Sequence, residues 1–252
     1  MDKGIDEKAL IARAEDTVRL CEKQYSPKAF GFLTPRDAAV LKKLRLGGGD
    51  ISVTFFGGYP EAERCLFAAL PDYLDETSLW DFVDIIEITG RDLARLSHRD
   101  FLGSILGLGI KREKIGDILC LEGKCLVFAA SDISDYIIEN LVKVGSAGVS
   151  LKKADPSGLE IPKRKVEEIR TTVAALRLDC IVGAALKTSR SAACEVIRSG
   201  RVSVNWTECD NLSAKVSPGD VFSVRGSGRF RLSEAVNETK KGRLGICIEK
   251  AI

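Results

Sequence analysis

Residues 178–232 constrain the fold of this chain more than any other stretch, because two short helical patterns are followed there by strand patterns. The first pattern repeats apolar residues at helical spacing on one face: Leu178, Ile181, Val182, Ala185 and Leu186. Ser189 is suited to cap a second helix, which Gly200 then terminates. Apolar residues next alternate with polar ones along a predicted strand: Val202, Val204 and Trp206. The stretch is therefore predicted to form a compact unit of two helices and a small sheet.

Basic side chains that an apolar core does not need surround the second helix. Lys187 and Arg190 lie at its start, Arg198 lies near its end and Arg201 follows Gly200. Because a helix N-terminus already carries the positive end of a dipole, cations beside it favour an anionic partner, and phosphate is the obvious one. The polar face of the next strand, with Arg201 and Asn205, continues this basic surface.

These residues resemble a known RNA-binding module. The run SRSAACEVIRSGRVSVNW, followed by VSPGDVFSV, is similar to the S4 domain found in a ribosomal protein, some tRNA synthetases and several rRNA-modifying enzymes. The usual S4 pattern has Val-Asn-Gly where this chain has Val204-Asn205-Trp206. The resemblance implies that the basic residues around the second helix contact RNA.

Further runs resemble the YlmH family of bacterial S4-domain proteins and together cover most of the chain from Phe32 onward. They are VRGSGRFRL and, upstream, FLTPRDAAVL, FFGGYPEAER and HRDFLGSILGLGIKREKIGDIL. The family resemblance implies association with rRNA and tRNA on the large ribosomal subunit, in the rescue of stalled nascent chains.

The charge is sorted along the chain, although the net charge of the whole is only +2. Residues 1–162 hold 21 Lys and Arg against 26 Asp and Glu, a balance of −5, whereas residues 163–252 hold 17 against 10, a balance of +7. This asymmetry is typical of a nucleic-acid-binding C-terminal part joined to a more acidic one.

The first 77 residues are predicted to form a helical and α/β region. We expect a helix from Ile5 to Gln24, a second from Pro35 to about Leu46 with Thr34 as its N-cap, and a strand from Ile51 to Phe56. Gly57 to Pro60 is then predicted to lead into a helix from about Glu61 to Pro71. A phosphate loop at these glycines is disfavoured, because no Gly-Lys-Ser/Thr follows.

Residues 78–160 are predicted to form a ferredoxin-like domain. The order of its elements is β-α-β-β-α-β: Phe82–Thr89, a helix capped by Ser97 and running to about Leu108, Ile115–Leu121, Lys124–Ala130, a helix to Val144, and Gly148–Lys152. This topology is also that of RNA-recognition modules, which stack bases on exposed aromatic residues. Only Phe82 and Phe128 are available on the first and third strands, so core packing is favoured over stacking. Lys111, Arg112 and Lys114 are either a backbone contact for RNA or a solvated loop.

The fold class predicted is α+β, with three domains and one connector. The boundaries are 1–77, 78–160, a connector at 161–176, and an S4 domain at 177–252. In the last part, Phe230 and Leu232 alternate with Arg229 and Arg231, so these two arginines share the face opposite the apolar residues. Lys240, Lys241 and Arg243 are expected at the mouth of the closing strand, beside Arg225, Arg229 and Arg231.

Catalysis and metal binding find little support in the residue pattern. The eight cysteines are scattered without a CxxC pair, and His98 is the single histidine, so reduced cysteines and no metal are expected. Arg177-Leu178-Asp179 resembles the signature around the catalytic aspartate of pseudouridine synthases, which keeps an rRNA-modifying enzyme as the alternative function. As an S4 residue, however, Asp179 is expected to be a helix cap and a packing anchor.

The main prediction is a non-catalytic RNA-binding protein of the cytoplasm, with rRNA, tRNA and the large ribosomal subunit as partners. No cofactor, no small-molecule substrate and no membrane partner are expected, since the chain has neither a long uncharged apolar run nor a signal peptide. The predicted RNA-binding residues are Lys187, Ser189, Arg190, Arg198, Arg201, Asn205, Arg225, Arg229, Arg231, Lys240, Lys241 and Arg243. The basic residues among them are expected to lie on a single side of the C-terminal fold.

Overall fold

The structure is a computed structural model that describes residues 6–159, 161, 166–238 and 242–251. The chain divides into two compact units, residues 1–162 and residues 163–252. Each unit has hydrophobic clusters of its own. No helix in the described ranges is long and apolar enough to cross a membrane.

The first unit begins with two helices packed on a three-stranded antiparallel sheet. Its elements are α1 (Glu7–Gln24), β1 (Lys28–Leu33), α2 (Pro35–Lys42), β2 (Ile51–Phe56) and β3 (Cys65–Pro71), with strand order β1-β3-β2. The predictions of α1, β2 and a Thr34-capped α2 are confirmed, since the Asp37 N–H donates to the Thr34 hydroxyl. However, α2 ends at Lys42 and not at about Leu46. Leu10 and Ala14 of α1 lie with Phe67 of β3 in one buried cluster.

The helix predicted between Glu61 and Pro71 is wrong, because these residues form a turn and then β3. From Leu66 to Leu70 every residue of this central strand is buried. A strand covered on both faces has no alternation, so its periodicity cannot be distinguished from that of a buried helix.

β1 was not predicted at all. Gly31, with a φ of +40°, interrupts its pairing with β3 between Phe30 and Phe32 and so disturbs the alternation.

The second part of this unit has the predicted ferredoxin-like topology. Its elements are β4 (Val83–Gly90), α3 (His98–Leu106), β5 (Ile115–Leu121), β6 (Lys124–Ala130), α4 (Ser131–Asn140), β7 (Lys143–Val144) and β8 (Ala147–Ala154). All pairs are antiparallel, in the order β5-β6-β4-β8-β7. One difference is that α4 ends at Asn140 and not at Val144, and the short β7 follows.

Both faces of the β4–β6 region are covered. Ile86 and Val127 face the helical side and pack with Phe101 of α3 and Ile137 of α4. On the opposite face, Phe128 is fully buried in a cluster that also contains residues of β1 and β3. Core packing of Phe128 is therefore confirmed, and the surface on which an RNA-recognition module stacks bases is closed at this residue.

The second unit is a six-stranded antiparallel sheet with two helices on one face. Its elements are β9 (Val166–Val173), α5 (Leu178–Ala185), α6 (Arg190–Arg198), β10 (Val202–Val204), β11 (Thr207–Glu208), β12 (Val221–Val224), β13 (Gly228–Glu238) and β14 (Leu244–Ala251). The strand order is β11-β10-β12-β13-β14-β9. Residues 166–173, which the sequence pattern places in a connector, form β9 and pair with β14 along its whole length.

The helices cover the apolar face of this sheet, as the sequence pattern predicts. Ile181 and Ile197 are fully buried together with Phe222, Phe230 and Leu232. The rings of Phe222 and Phe230, which are direct partners in the ladder, stack with centroids 5.3 Å apart. Because successive side chains point to opposite faces of a strand, the residues that alternate with these lie on the outer face of the sheet.

Candidate nucleic-acid interface

A buried carboxylate organises the beginning of both helices in the second unit. The side chain of Asp179 is only 1% exposed and accepts hydrogen bonds from Arg177 Nε at 3.1 Å and from Arg190 Nε at 2.8 Å. Arg190 Nη2 lies 2.7 Å from the same carboxylate. Asp179 is therefore the point at which α5 and α6 are tied together, which is more than the helix cap and packing anchor that the sequence suggested.

The two arginines keep Asp179 ionised. Burial, the strongest influence, raises the pKa of this carboxyl, but the hydrogen bonds from Arg190 and Arg177 outweigh it and hold the pKa below its ordinary value. Arg190 nevertheless remains 67% exposed. The Asp179 carboxylate thus holds the Arg190 guanidinium in one orientation, while most of the side chain stays exposed to a ligand.

The start of α6 brings three of the predicted residues together. Ser189 caps the helix by accepting a hydrogen bond from the Ala192 N–H at 3.2 Å. Lys187, in the turn before it, has a φ of +52° and is 70% exposed, with its Nζ 3.9 Å from a Glu167 carboxylate oxygen. We define Lys187, Ser189 and Arg190 as the helix surface.

The turn that follows α6 carries two further predicted residues. Arg198 is the last residue of α6 and is exposed, and Gly200, with a φ of +66°, ends the helix as predicted. Arg201 Nε donates to the Ser199 hydroxyl at 3.1 Å. Its backbone oxygen accepts from the Arg225 N–H at 2.9 Å, which brings the backbones of Arg201 and Arg225 together.

Arg229 and Arg231 lie on the other side of the unit. They alternate with the buried Phe230 and Leu232, so they occupy the outer face of the sheet, opposite α5 and α6. The expectation of one shared basic side is therefore wrong, and the predicted residues divide between the two faces of the fold. In the ladder, Arg231 stands between Val221 and Glu249. We define Arg229 and Arg231 as the sheet surface.

Arg243 does not lie beside Arg225, Arg229 and Arg231, contrary to expectation. It precedes Leu244, which pairs with Glu238 at the far end of β13, whereas Phe230 pairs with Lys250. Eight residues of strand separate the two ends, a distance of roughly 27 Å. Arg243 instead donates to the Thr172 hydroxyl at 3.1 Å and to the Thr172 backbone oxygen at 2.7 Å. Lys240 and Lys241 lie outside the described residues.

Asn205 is occupied by contacts within the fold. Its side-chain oxygen accepts from the Val221 N–H at 3.0 Å, and its amide nitrogen donates to Asp220 at 2.9 Å. Asn205 and Trp206 have φ values of +46° and +63° and form the two-residue turn between β10 and β11. The strand thus ends at Val204 and does not continue to Trp206. The asparagine shapes this turn and joins it to the start of β12.

In the first unit, the motif residues of the FFGGYPEAER and HRDFLGSILGLGIKREKIGDIL runs meet at a partly buried contact. Asp117 of β5 accepts hydrogen bonds from the Tyr59 hydroxyl at 2.6 Å, the Glu63 N–H at 2.7 Å and the Arg64 N–H at 3.1 Å. Gly58, with a φ of +86°, lies so close to Phe128 that a Cβ would approach the ring to 2.5 Å. The loop is a packed turn and not a phosphate loop.

Other candidates in the first unit are largely committed to the fold. Arg112 donates to the backbone oxygens of Ile115 and Gly116, and Lys114 pairs with Asp132. Lys111 is exposed. Loss of surrounding water lowers the pKa of His98, and the charge of Arg112 lowers it further, which favours the neutral imidazole.

The cysteines are all unpaired, and the described ranges contain no cluster of three or more His, Cys, Asp or Glu side chains able to hold a metal ion.

Comparison with known proteins agrees with this architecture. Residues 81–157 match the family model described as "Putative RNA-binding domain in YlmH", and residues 176–222 match the S4 domain. Together with the two-helix unit and its basic residues, these matches place the chain in the class of S4-domain RNA-binding proteins.

Two relatives make the assignment more specific. The "Ribosome-associated protein quality control protein P2" of Bacillus subtilis (strain 168) is 33% identical over 246 residues, which cover 97% of this chain and 95% of that protein. The solved structure of "Cell division protein ylmH from Streptococcus pneumoniae" is 22% identical, with a TM-score of 0.52, over 64% of this chain and 98% of that one, and shows a shared fold. The chain belongs to the YlmH family.

Proposed function

We propose that this protein binds structured RNA, rRNA and tRNA, on the large ribosomal subunit in the cytoplasm, and acts without catalysis in the rescue or quality control of stalled translation. The name of the Bacillus relative supports the ribosomal context, and the S4 match supports RNA as the ligand. The observation that carries the proposal is the exposed guanidinium of Arg190, which the buried Asp179 holds in a fixed orientation.

A guanidinium fixed in this way suits phosphate. Arginine binds phosphate oxygens through several donors in a rigid plane, and a side chain that is already ordered loses less entropy when it binds. Nε and Nη2 of Arg190 contact Asp179, while Nη1 has no partner among the described residues. Lys187 adds a second, exposed charge close by in the chain. The helix surface is therefore the primary site of the proposal.

The remaining basic residues extend the contact. Arg198 and Arg201 continue the basic residues past the end of α6, and Arg229 and Arg231 supply a second surface on the opposite face. Phosphate contacts of this kind provide affinity and orientation but no base sequence, so selectivity comes from the shape of a folded RNA. A ribosomal RNA surface, which presents several backbones in fixed positions, is a ligand of that kind.

The test is ultraviolet crosslinking in cells followed by sequencing of the bound RNA. The proposal predicts crosslinks in large-subunit rRNA and in tRNA, with crosslinked peptides from residues 187–201. Crosslinks dominated by mRNA, or an association that nuclease treatment leaves intact, would contradict it. A control with Arg170→Ala, an exposed arginine paired with Glu168, should retain the crosslinks.

The alternative of an rRNA-modifying enzyme makes a separate prediction. A deletion strain would lack one modified nucleotide, which mass spectrometry of rRNA digests detects. The resemblance that suggested this alternative rests on Asp179. Because that carboxylate is buried and bound by two arginines, it is not suited to act as a nucleophile. An unchanged set of modified nucleotides is therefore expected.

A further inference from the structure

The hairpin between β5 and β6 places two cysteines directly opposite each other. Cys120 and Cys125 are partners in the ladder, separated from the two-residue turn at Glu122 and Gly123 by the pair Leu121 and Lys124. In a two-residue hairpin the pair next to the turn exchanges hydrogen bonds, so the following pair is of the non-hydrogen-bonded kind, with Cα atoms about 4.5 Å apart. This separation lies within the range that a disulfide spans, about 4.4–6.8 Å.

The two thiols differ in environment. Cys120 is exposed on β5, which ends the sheet order, whereas Cys125 is fully buried on β6 beside Val127 and Ile88. A hydrogen bond from Cys125 lowers the pKa of Cys120 to about 7, and the same contact, with burial, raises the pKa of Cys125. A large share of Cys120 is therefore thiolate at neutral pH, and the thiolate is the reactive form of cysteine.

We propose that Cys120 and Cys125 are a redox modification site, in which hydroperoxide oxidises the exposed Cys120 and the buried Cys125 closes a reversible disulfide across the hairpin. The Cys120 thiolate attacks one peroxide oxygen, the O–O bond breaks, and a sulfenic acid forms as hydroxide leaves. The Cys125 sulfur then attacks the Cys120 sulfur, expels the sulfenic oxygen as water and loses its proton. Two thiols and one hydrogen peroxide thus give one disulfide and two waters.

The arrangement explains why the partner is Cys125 and not another chain. The two cysteines are direct partners in the ladder, so the closing step needs no movement of the backbone between strands that are paired in the sheet. Reduction by a dithiol restores both thiols through exchange at the exposed Cys120 sulfur. The inference is independent of the RNA contact proposed for the helix surface, because both cysteines lie in the first unit.

The test uses the full reduced chain, hydrogen peroxide, and N-ethylmaleimide to block the remaining thiols. Trypsin cuts after Lys124, so the expected product is a pair of peptides joined through Cys120 and Cys125, lighter by about 2 Da and free of maleimide. Dithiothreitol should separate them. The matched control Cys209→Ala, at a cysteine of the second unit, should give the same joined pair.

Two variants separate the roles. In Cys125→Ala, Cys120 should accumulate as sulfenic acid that dimedone labels, and the midpoint of its alkylation with pH should rise from about 7 towards the ordinary value of about 8.5. In Cys120→Ala, which changes an exposed position, Cys125 should resist peroxide. Two results in the wild-type chain would overturn the proposal. One is that dimedone labels Cys120 and no disulfide forms, and the other is that Cys120 becomes linked to any other cysteine.

Discussion

The residue whose change should matter most is Asp179, a buried carboxylate that serves two arginines. Replacing it by asparagine keeps the shape but removes the charge that holds Arg177 and Arg190. Breaking a fully buried ion pair costs about 3–5 kcal/mol, and partial exposure of both arginines reduces this, so we expect a loss of about 2 kcal/mol in the free energy of unfolding. Urea denaturation measures it. Asp210→Asn, at an exposed carboxylate of the same unit, should change little.

The same carboxylate predicts a dependence on pH. Because the pKa of Asp179 is lower in the folded state than its unfolded value of about 3.9, its contribution to stability is complete above that value and is lost as the pH falls through the folded pKa. The stability gap between wild type and Asp179→Asn should therefore be constant near neutral pH and close in acid. A gap that widens below pH 4 would contradict the assignment.

Asn205 should prove structural and not part of the RNA contact. Asn205→Ala would leave the Val221 N–H without its side-chain partner and would remove one of the donors to Asp220, at a cost of about 2 kcal/mol in unfolding free energy. Its RNA affinity, measured under conditions where the variant is fully folded, should equal that of the wild type. A large loss of affinity in the folded variant would return Asn205 to the interface.

For single residues, the chemical type needed at a position could be predicted from the sequence, but the contacts between residues could not. Ser189 as a cap and Gly200 as a terminator follow from local rules of helix ends, and both are confirmed. The contact of Asp179 with Arg190 joins residues of two different helices, which spacing alone does not bring together. Asn205 appeared to be an exposed strand residue because its role in the turn depends on Asp220, fifteen positions away.

Among the elements, the turn at residues 57–64 is the most sensitive to substitution. Gly58→Ala would place a Cβ 2.5 Å from the Phe128 ring at a φ of +86°. The left-handed backbone alone costs about 1 kcal/mol, and the clash adds about 1–3 kcal/mol. Gly109→Ala is a matched control, since Gly109 has a φ of +85° with no atom within 4 Å. Urea denaturation should show a clearly greater loss of stability for Gly58→Ala, and equal losses would contradict the packed turn.

Element types could be predicted wherever one face of an element meets solvent. The helices α1 and α6 have such a face, and their patterns located them correctly. β6 is buried on both faces, and it was located by the Glu122-Gly123 turn that precedes it. The central strand β3 is buried on both faces, so its pattern gave no such signal and a helix was predicted in error. β9 is a strand of largely exposed residues that depends on β14 for its pairing, which no local pattern records.

For the whole molecule, the separation of charge between the two units decides how RNA binding should respond to mutation. Charge reversal at Arg190 is a poor test, because a glutamate there would stand against the buried Asp179 and disturb the fold. Lys187, Arg198 and Arg201 are exposed and tolerate reversal better. The division of the basic residues between two faces also means that the helix surface and the sheet surface can be tested separately.

Salt should weaken the binding steeply. If about five to eight phosphates are neutralised, the logarithm of the association constant should fall with the logarithm of the salt concentration, with a slope of about −0.7 to −0.9 for each contact. Filter binding between 50 and 200 mM salt, roughly the range over which such contacts are lost, measures it. Removing Arg229 and Arg231 should reduce the slope if the sheet surface also contacts the backbone.

The most direct measurement is co-sedimentation of the purified protein with large ribosomal subunits. We predict that wild type sediments with the subunits, and that Lys187→Glu combined with Arg198→Glu and Arg201→Glu abolishes this while the circular dichroism spectrum and melting temperature stay unchanged. Arg170→Glu, in the same unit but outside the helix surface, should still bind. If the folded triple variant sediments with the large subunit as the wild type does, the basic residues around α6 are not the RNA-binding site.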